Sequence, residues 1–237
     1  MAYQYLAFDI ETSKDVPGDD FNWREHRPLG ISCAATLASG DDQPHLWYGK
    51  TPDKSPARQM SRHDAQDLVQ YLSKMAADGF KILTWNGLAF DFDILAEESG
   101  ETASCAACAL DHVDMMFHVF CSRGFPLGLD KAAQGMTLPG KPPGMDGSKA
   151  PVLWAQGQFQ KVLEYVAQDV RTTMQIAQAC EQRRKLDWIT RKGTRSSLAL
   201  PNGWLTVRES LRLPEPDTSW MSTPMSRRGF TAWLPVS

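Results

Sequence analysis

The first strand of the chain ends in an arrangement that a folded core tolerates only under particular conditions. In F-D-I-E-T, Asp9 and Glu11 stand two residues apart. The two-residue period of a strand turns both side chains to one face and points Ile10 the other way, into the core. Two carboxylates held side by side repel unless a cation sits between them. The natural partner is a hard divalent ion with oxygen ligands, Mg2+ or Mn2+. A solvated strand end would carry the same residues, so the pair has to be weighed together with the carboxylates further along the chain.

Leu6, Phe8 and Ile10 alternate with Tyr5, Ala7 and Asp9, which predicts a buried strand over 4–10. Residues 13–28 are polar and include Pro17, Gly18, Asp19 and Asp20, and they read as a loop. Strands are expected at 30–37 and 45–48, joined by a hairpin turn at Asp41–Asp42. Ser61 followed by Asp64 is a helix start, and Ala65, Leu68, Val69, Leu72 and Met75 then recur at helical spacing up to Gly79. A short apolar run at 80–84 predicts a central strand. Helices are expected from about Phe90 and from Asp111 to Phe120. The Gly- and Pro-rich stretch 139–151 predicts a loop. The longest helical pattern runs from Phe159 to Trp188, with Val162, Val166, Val170, Thr173 and Ala177 on one face. Three strands, a helix, a strand and then mostly helices predict an α/β fold with a mixed central sheet flanked by helices. The stretch after Ser196 is rich in Pro and Trp. It is expected as a C-terminal extension (197–237) packed on one domain of residues 1–196.

Two further carboxylate elements lie downstream. In W-N-G-L-A-F-D-F-D-I-L, Asn86 and Gly87 end a strand and a helix begins near Phe90. Asp91 shares a helix face with Ile94 and Leu95, which makes it the inward carboxylate. Asp93 shares its face with Ala96 and Glu97 and is expected on the wet side, complementing the helix N-terminus. In Y-V-A-Q-D-V, Tyr165 and Asp169 are four apart and project together beside the apolar stripe.

F-D-I-E-T, N-x-x-x-F-D and Y-x-x-x-D in that order resemble the DEDD superfamily of 3′–5′ exonucleases, tyrosine branch, which have an RNase H-like fold. The closest likeness is to stand-alone proteins related to the exonuclease domain of family B DNA polymerases. It extends to H-V-D-M-M at His112–Met116, L-P-G-K-P-P-G-M-D-G at 138–147, L-E-Y-V-A-Q-D-V-R-T-T at 163–173, and W-L-T-V-R-E-S-L and P-D-T-S-W-M in the tail. The resemblance implies that Asp9, Glu11, Asp91 and Asp169 hold two divalent metal ions, Mg2+ or Mn2+. It implies that Tyr165 orients a water, and that nucleoside 5′-monophosphates leave the 3′ end of a strand. Ile10, Thr12, Asn86 and Phe90 are the expected substrate contacts, Phe90 as a stacking surface. Single-stranded DNA is the expected partner. The alternatives are trimming of RNA 3′ ends, or a nucleic-acid-binding module without the chemistry.

A net charge of −3 does not by itself announce a nucleic-acid binder, since an acidic site cancels a basic patch elsewhere. Arg183, Arg184, Lys185, Arg191, Lys192 and Arg195 form a basic cluster, and Lys141 and Lys149 add charge on the loop before the last motif. All could follow a phosphate backbone. Cys105 and Cys108 form a lone C-x-x-C with His112 nearby, a ligand set too small for a familiar zinc site, so reduced and partly buried thiols are expected. No apolar run matches a membrane span and the N-terminus lacks a signal pattern, which predicts a cytoplasmic protein.

Overall fold

The computed structural model describes residues 4–16, 22–140 and 147–235. The expected turn residues Pro17 to Asp20 and the loop cation Lys141 lie outside the described residues, Pro17 to Asp20 within 17–21 and Lys141 within 141–146. Among those described, five strands form a mixed sheet in the order β3-β2-β1-β4-β5. They are β1 (Tyr5–Thr12), β2 (Ile31–Ala38), β3 (His45–Tyr48), β4 (Lys81–Thr84) and β5 (Val113–Asp114). β1 pairs antiparallel with β2 and parallel with β4, so it is the central strand. Its alternation divides the core. Leu6, Phe8 and Ile10 enter one apolar layer with α1 (Arg62–Ala77), α2 (Asp91–Ser99) and α3 (Thr102–Asp111). Tyr5 and Ala7 enter the other, beneath the long helix that carries Val162, Val166 and Val170. Asp9 and Glu11 share the parity of Tyr5 and Ala7 and therefore face that helix.

Ser61 and Asp64 close a reciprocal capping box at the start of α1, as the sequence spacing predicts. After α2 the chain departs from expectation. Thr102–Asp111 is helical, Val113–Asp114 is a short strand, and α4 (Met115–Arg123) begins only after it. α5 (Leu129–Met136) and α6 (Ala150–Ala155) have no counterpart among the expected elements, and the first two residues of α6 fall in the stretch expected as loop. Pro151 sits in the first turn of α6, where a missing N–H costs nothing. α7 (Phe159–Arg183) stops five residues before the predicted Trp188, at Arg184 with φ +53°. The residues beyond it form a hairpin of β6 (Lys185–Ile189) and β7 (Arg195–Ala199). This hairpin crosses the boundary expected at 196/197. The chain after it wraps the domain: the Arg227 guanidinium donates to the carbonyls of Leu211, Leu213 and Pro214, and Phe230 packs 4.5 Å from Phe120. Among the described residues no helix is long and apolar enough to cross a membrane.

α5 rests on the hairpin at Gly135, where an added Cβ would overlap the backbone of Trp188 and Asp187. Backbone cannot give way as a flexible side chain can. Gly135→Ala should therefore destabilise the fold by about 1–3 kcal/mol, the range for overpacking. Urea melts of the two proteins check this.

Candidate active site

β1 delivers the first two carboxylates, and α7 brings the third over them. Asp9, Glu11 and Asp169 each place a carboxylate oxygen within 4.8 Å of the others. Glu11 and Asp169 are buried and Asp9 is half-buried. Tyr165, one turn before Asp169, is buried and hydrogen-bonds the Asp169 side chain. Burial, and then the charges of Asp169, Glu11 and Asp9, push its phenol well above the usual tyrosine range. Tyr165 is thus a proton donor to its acidic surroundings and stays neutral.

Asp91 enters from the other layer. The parallel pairing of β1 with β4 ends at Ala7 and Leu83, so the Ile10 amide lies beyond the last backbone partner on that side. The Asp91 Oδ1 takes that place, accepting from Ile10 N at 2.9 Å. This bond ties the second motif to the first. Asp91 is 2% exposed, and burial, together with the nearby Asp114 and Asp169 carboxylates, raises it to about 7. It lies outside the close triad of Asp9, Glu11 and Asp169 but is coupled electrostatically to Asp169.

The turn from β4 to α2, which aims Asp91, is held by side chains from three distant parts of the chain and by Thr84 at the end of β4. Asp114 accepts from Asn86 N (3.0 Å), Leu88 N (2.9 Å) and Phe117 N (3.0 Å). Thr84 Oγ1 accepts from Gly87 N. Trp233 Nε1 donates to Leu88 O at 2.7 Å, and Arg24 donates to Ala89 O at 3.0 Å. Asn86 takes a positive φ of 77°, which asparagine tolerates better than most residues. An added Cβ at Gly87 would overlap the Thr84 side chain. His112 supports Thr84 in turn. Its Nδ1–H donates to Ala109 O, its Nε2 lies 2.9 Å from Thr84 Oγ1, and burial lowers it to about 4, so the ring is neutral. With both ring nitrogens engaged, His112 does not join Cys105 and Cys108. All five cysteines are free thiols.

The expected substrate contacts divide. Ile10 contributes its side chain to the core and its amide to Asp91. Thr12 is buried at the strand end, where the β1–β2 register shifts. Asn86 is half-buried on the turn. Phe90 packs edge-on against Trp23 at 5.3 Å while staying partly open.

One sequence expectation is corrected. Asp93 does not face water: it is 2% exposed, ion-paired to Arg27 and 3.7 Å from Arg24. Its face of α2 is covered by a 3-10 turn at Trp23–His26, within a segment expected as loop. Periodicity treats a helix in isolation and cannot see such a cover. Arg183 follows Asp169 by fourteen residues of continuous helix, about 21 Å at 1.5 Å per residue. Asp114, Arg24 and Trp233 carry no sequence signal of a role in the site. Asp114 does lie within H-V-D-M-M, and it caps α4 as an aspartate before a helix should.

The family model described as RNase_H superfamily matches residues 48–180, more than half of the chain, taking in Asp91, Tyr165 and Asp169. No curated protein sequence matches. Among solved structures, the chain is similar to the family B DNA polymerase from the hyperthermophilic archaeon Pyrobaculum calidifontis. That match has a TM-score of 0.53 and 18% identity, over 76% of this chain and 25% of the polymerase. At that identity the likeness is one of fold, and the chain spans about a quarter of the polymerase's length.

The Asp93 environment makes a prediction that separates it from Asp91. Asp93→Asn leaves Arg27 and Arg24 facing a neutral group. Because both arginines are partly exposed, the loss should be about 1–3 kcal/mol, below that of a fully buried pair. Thermal melts of Asp93→Asn and Asp91→Asn should rank Asp93→Asn as the less stable.

Proposed function

Because the chain belongs to the RNase H superfamily, we propose that it is a metal-dependent 3′–5′ exonuclease, releasing nucleoside 5′-monophosphates from single-stranded DNA. The observation that carries this reading is the all-carboxylate cluster of Asp9, Glu11 and Asp169 beside Tyr165, with Asp91 bonded to the strand between the first two. An oxygen-only donor set of this kind suits Mg2+ or Mn2+ and not zinc held by thiols or imidazoles. Asp9, Glu11 and Asp169 would hold one ion, and Asp9 with Asp91 a second. When bound, two such ions activate water and stabilise the leaving oxygen. Four carboxylates against two divalent cations leave the site near neutral before a phosphate arrives.

The remaining work falls to this chain's own groups. Tyr165 orients the attacking water by accepting from it at the phenolic oxygen, while its own proton goes to Asp169 and α7 fixes the ring. The β4–α2 turn holds Asp91 against Ile10, so the two carboxylate layers keep a constant separation. Thr12 and Asn86 meet the terminal nucleotide, and the open part of Phe90 stacks its base. Residues 1–196 carry all of these groups, and 197–237 is an extension whose Trp233 braces the turn.

A strand of DNA labelled at its 5′ end should shorten from the other end in single steps, and chelation should stop it. The matched RNA strand should be a poorer substrate. Asp9→Ala should abolish hydrolysis while leaving the fold intact. Mg2+ or Mn2+ should raise the melting temperature of the wild type and not of Asp9→Ala, since a ligand of the folded state stabilises it. Near-normal turnover by Asp9→Ala would overturn the reading.

Tyr165→Phe removes one hydroxyl and keeps the ring. The lost bond belongs to the transition state more than the ground state, so the loss should appear in kcat. A fall of about a hundredfold or less is expected, the low end for a water-orienting group. Metal-induced stabilisation should survive. Single-turnover rates and melts on the same sample distinguish this from a packing role, which would lower the melting temperature and leave turnover unchanged.

A further inference from the structure

The basic cluster that the sequence singles out is not part of the carboxylate site, and the fold gives it a setting of its own. Residues 183–199 contain six cations and a single carboxylate, in a chain whose net charge is −3. The carboxylate, Asp187, is already taken: Lys185 lies 3.0 Å away and Ser197 donates to it. Arg184, Arg191, Lys192 and Arg195 are exposed at the end of α7 and along the β6–β7 hairpin. Arg123, also exposed, reaches across from α4 to donate to Ser197 O of β7 at 2.8 Å.

The same hairpin begins a row of aromatic rings. Trp188 of β6 lies 6.2 Å from Phe125, which lies 6.3 Å from Trp220. Trp220 is 66% exposed, the more open of the two large apolar side chains that reach solvent among the described residues. Its indole N–H bonds Asp217 O, which fixes the ring's position while leaving its surface open. Nearby Glu215 is engaged by Arg227.

We propose that the β6–β7 hairpin, Arg123 and Trp220 form a second nucleic-acid contact, an exosite for single strand at the pole of the domain away from the carboxylates. Cations that track phosphates and an open ring that stacks a base are the two elements of sequence-tolerant single-strand binding. A duplex offers no free base face to Trp220, and an acidic protein surface would need only the cations. The site extends the nuclease reading: a strand whose 3′ end lies at Asp9 and Asp169 would pass along α7 to the hairpin. At the stacked spacing of about 3.4 Å per nucleotide, the roughly 21 Å of helix corresponds to about six nucleotides. Strands of about four nucleotides would reach only the carboxylates, and strands of about twenty would reach both.

Binding is measured by fluorescence anisotropy on the full chain carrying Asp9→Ala, with single-stranded DNA of those two lengths across a salt series. Combining Arg191→Ala, Lys192→Ala and Arg195→Ala should weaken the long strand about tenfold or more and lower the log–log salt slope by about two, the value for three phosphates on a single strand. The three Arg/Lys exchanges that keep charge should retain the slope. Trp220→Ala should weaken the long strand about five- to a hundredfold, the range for one stacked base, and Trp220→Phe should restore part of it. With Asp9 intact, these surface variants should hydrolyse the short strand at the wild-type rate. Unchanged long-strand affinity in both sets would overturn the exosite while leaving the nuclease reading untouched. So would competition by polyglutamate as effective as competition by DNA, which would assign the patch to an acidic protein. If the wild-type chain hydrolyses no strand yet shows the length and salt dependence, the nuclease reading fails and the exosite stands.

Discussion

Asp9, Glu11 and Asp169 bring three carboxylates within 4.8 Å of one another, with Asp91 a short reach away and itself pushed up to about 7. Close like charges in a buried setting raise the free energy of the folded chain, so the rest of the molecule has to hold them where they would not go unaided. The fold does this with two independent layers. β1 fixes Asp9 and Glu11 by their backbone, which pairs with β2 at Ala35 and Cys33. α7 fixes Asp169 and Tyr165 through a buried apolar stripe that runs most of its length. Neither element can relax away from the other without opening the core between them, and cores resist such changes because they are close-packed.

Asp91 has a harder task, since it sits just past a turn and turns move more readily than strands. Its position depends on the backbone groups of residues 86–89 being claimed one by one. Asp114, Thr84, Trp233 and Arg24 each take one or two, from β5, β4, the C-terminal segment and the 3-10 turn near the N-terminus. A buried turn must satisfy its amides and carbonyls somewhere, and here each partner doubles as a brace for the carboxylate beyond it. The C-terminal extension is therefore connected to the chemistry it does not touch.

What the sequence makes legible is whatever a local period encodes. The alternation in β1 gives the face of Asp9 and Glu11, and the four-residue spacing on α7 gives the pairing of Tyr165 with Asp169. The capping box of α1 is visible in Ser61 and Asp64 alone. What periodicity misses depends on segments far apart in the chain. The pattern from Phe159 to Trp188 continues past the end of α7 because Leu186 and Trp188 are apolar for a different reason: they face α5 from a strand. α6 is too short to show a period, whereas α5 carries one that the expected elements leave out: Leu129, Ala132, Ala133 and Met136 recur at helical spacing and are all buried. The burial of Asp93 is invisible because its cover, Trp23–His26, lies about seventy residues away and carries a Pro- and Asp-rich neighbourhood that looks like loop.

Asp91 and Asp93 show how far environment divides two identical side chains. Both lie in the first turn of α2, and both are 2% exposed. Asp93 meets the guanidinium groups of Arg27 and Arg24, which neutralise it within the protein. Asp91 meets one backbone amide and the carboxylates of Asp114 and Asp169, and these leave its charge opposed by the fold. A structural carboxylate is given its counter-charge by the chain. A carboxylate whose neighbours are also carboxylates is left to take up a proton or, under the proposed reading, a divalent cation. On that proposed reading, the distance between the acidic site and the basic hairpin also has a use. An arginine close enough to steer a phosphate into the site would also be close enough to satisfy Asp91 as Arg27 satisfies Asp93, and would compete with the ion for it.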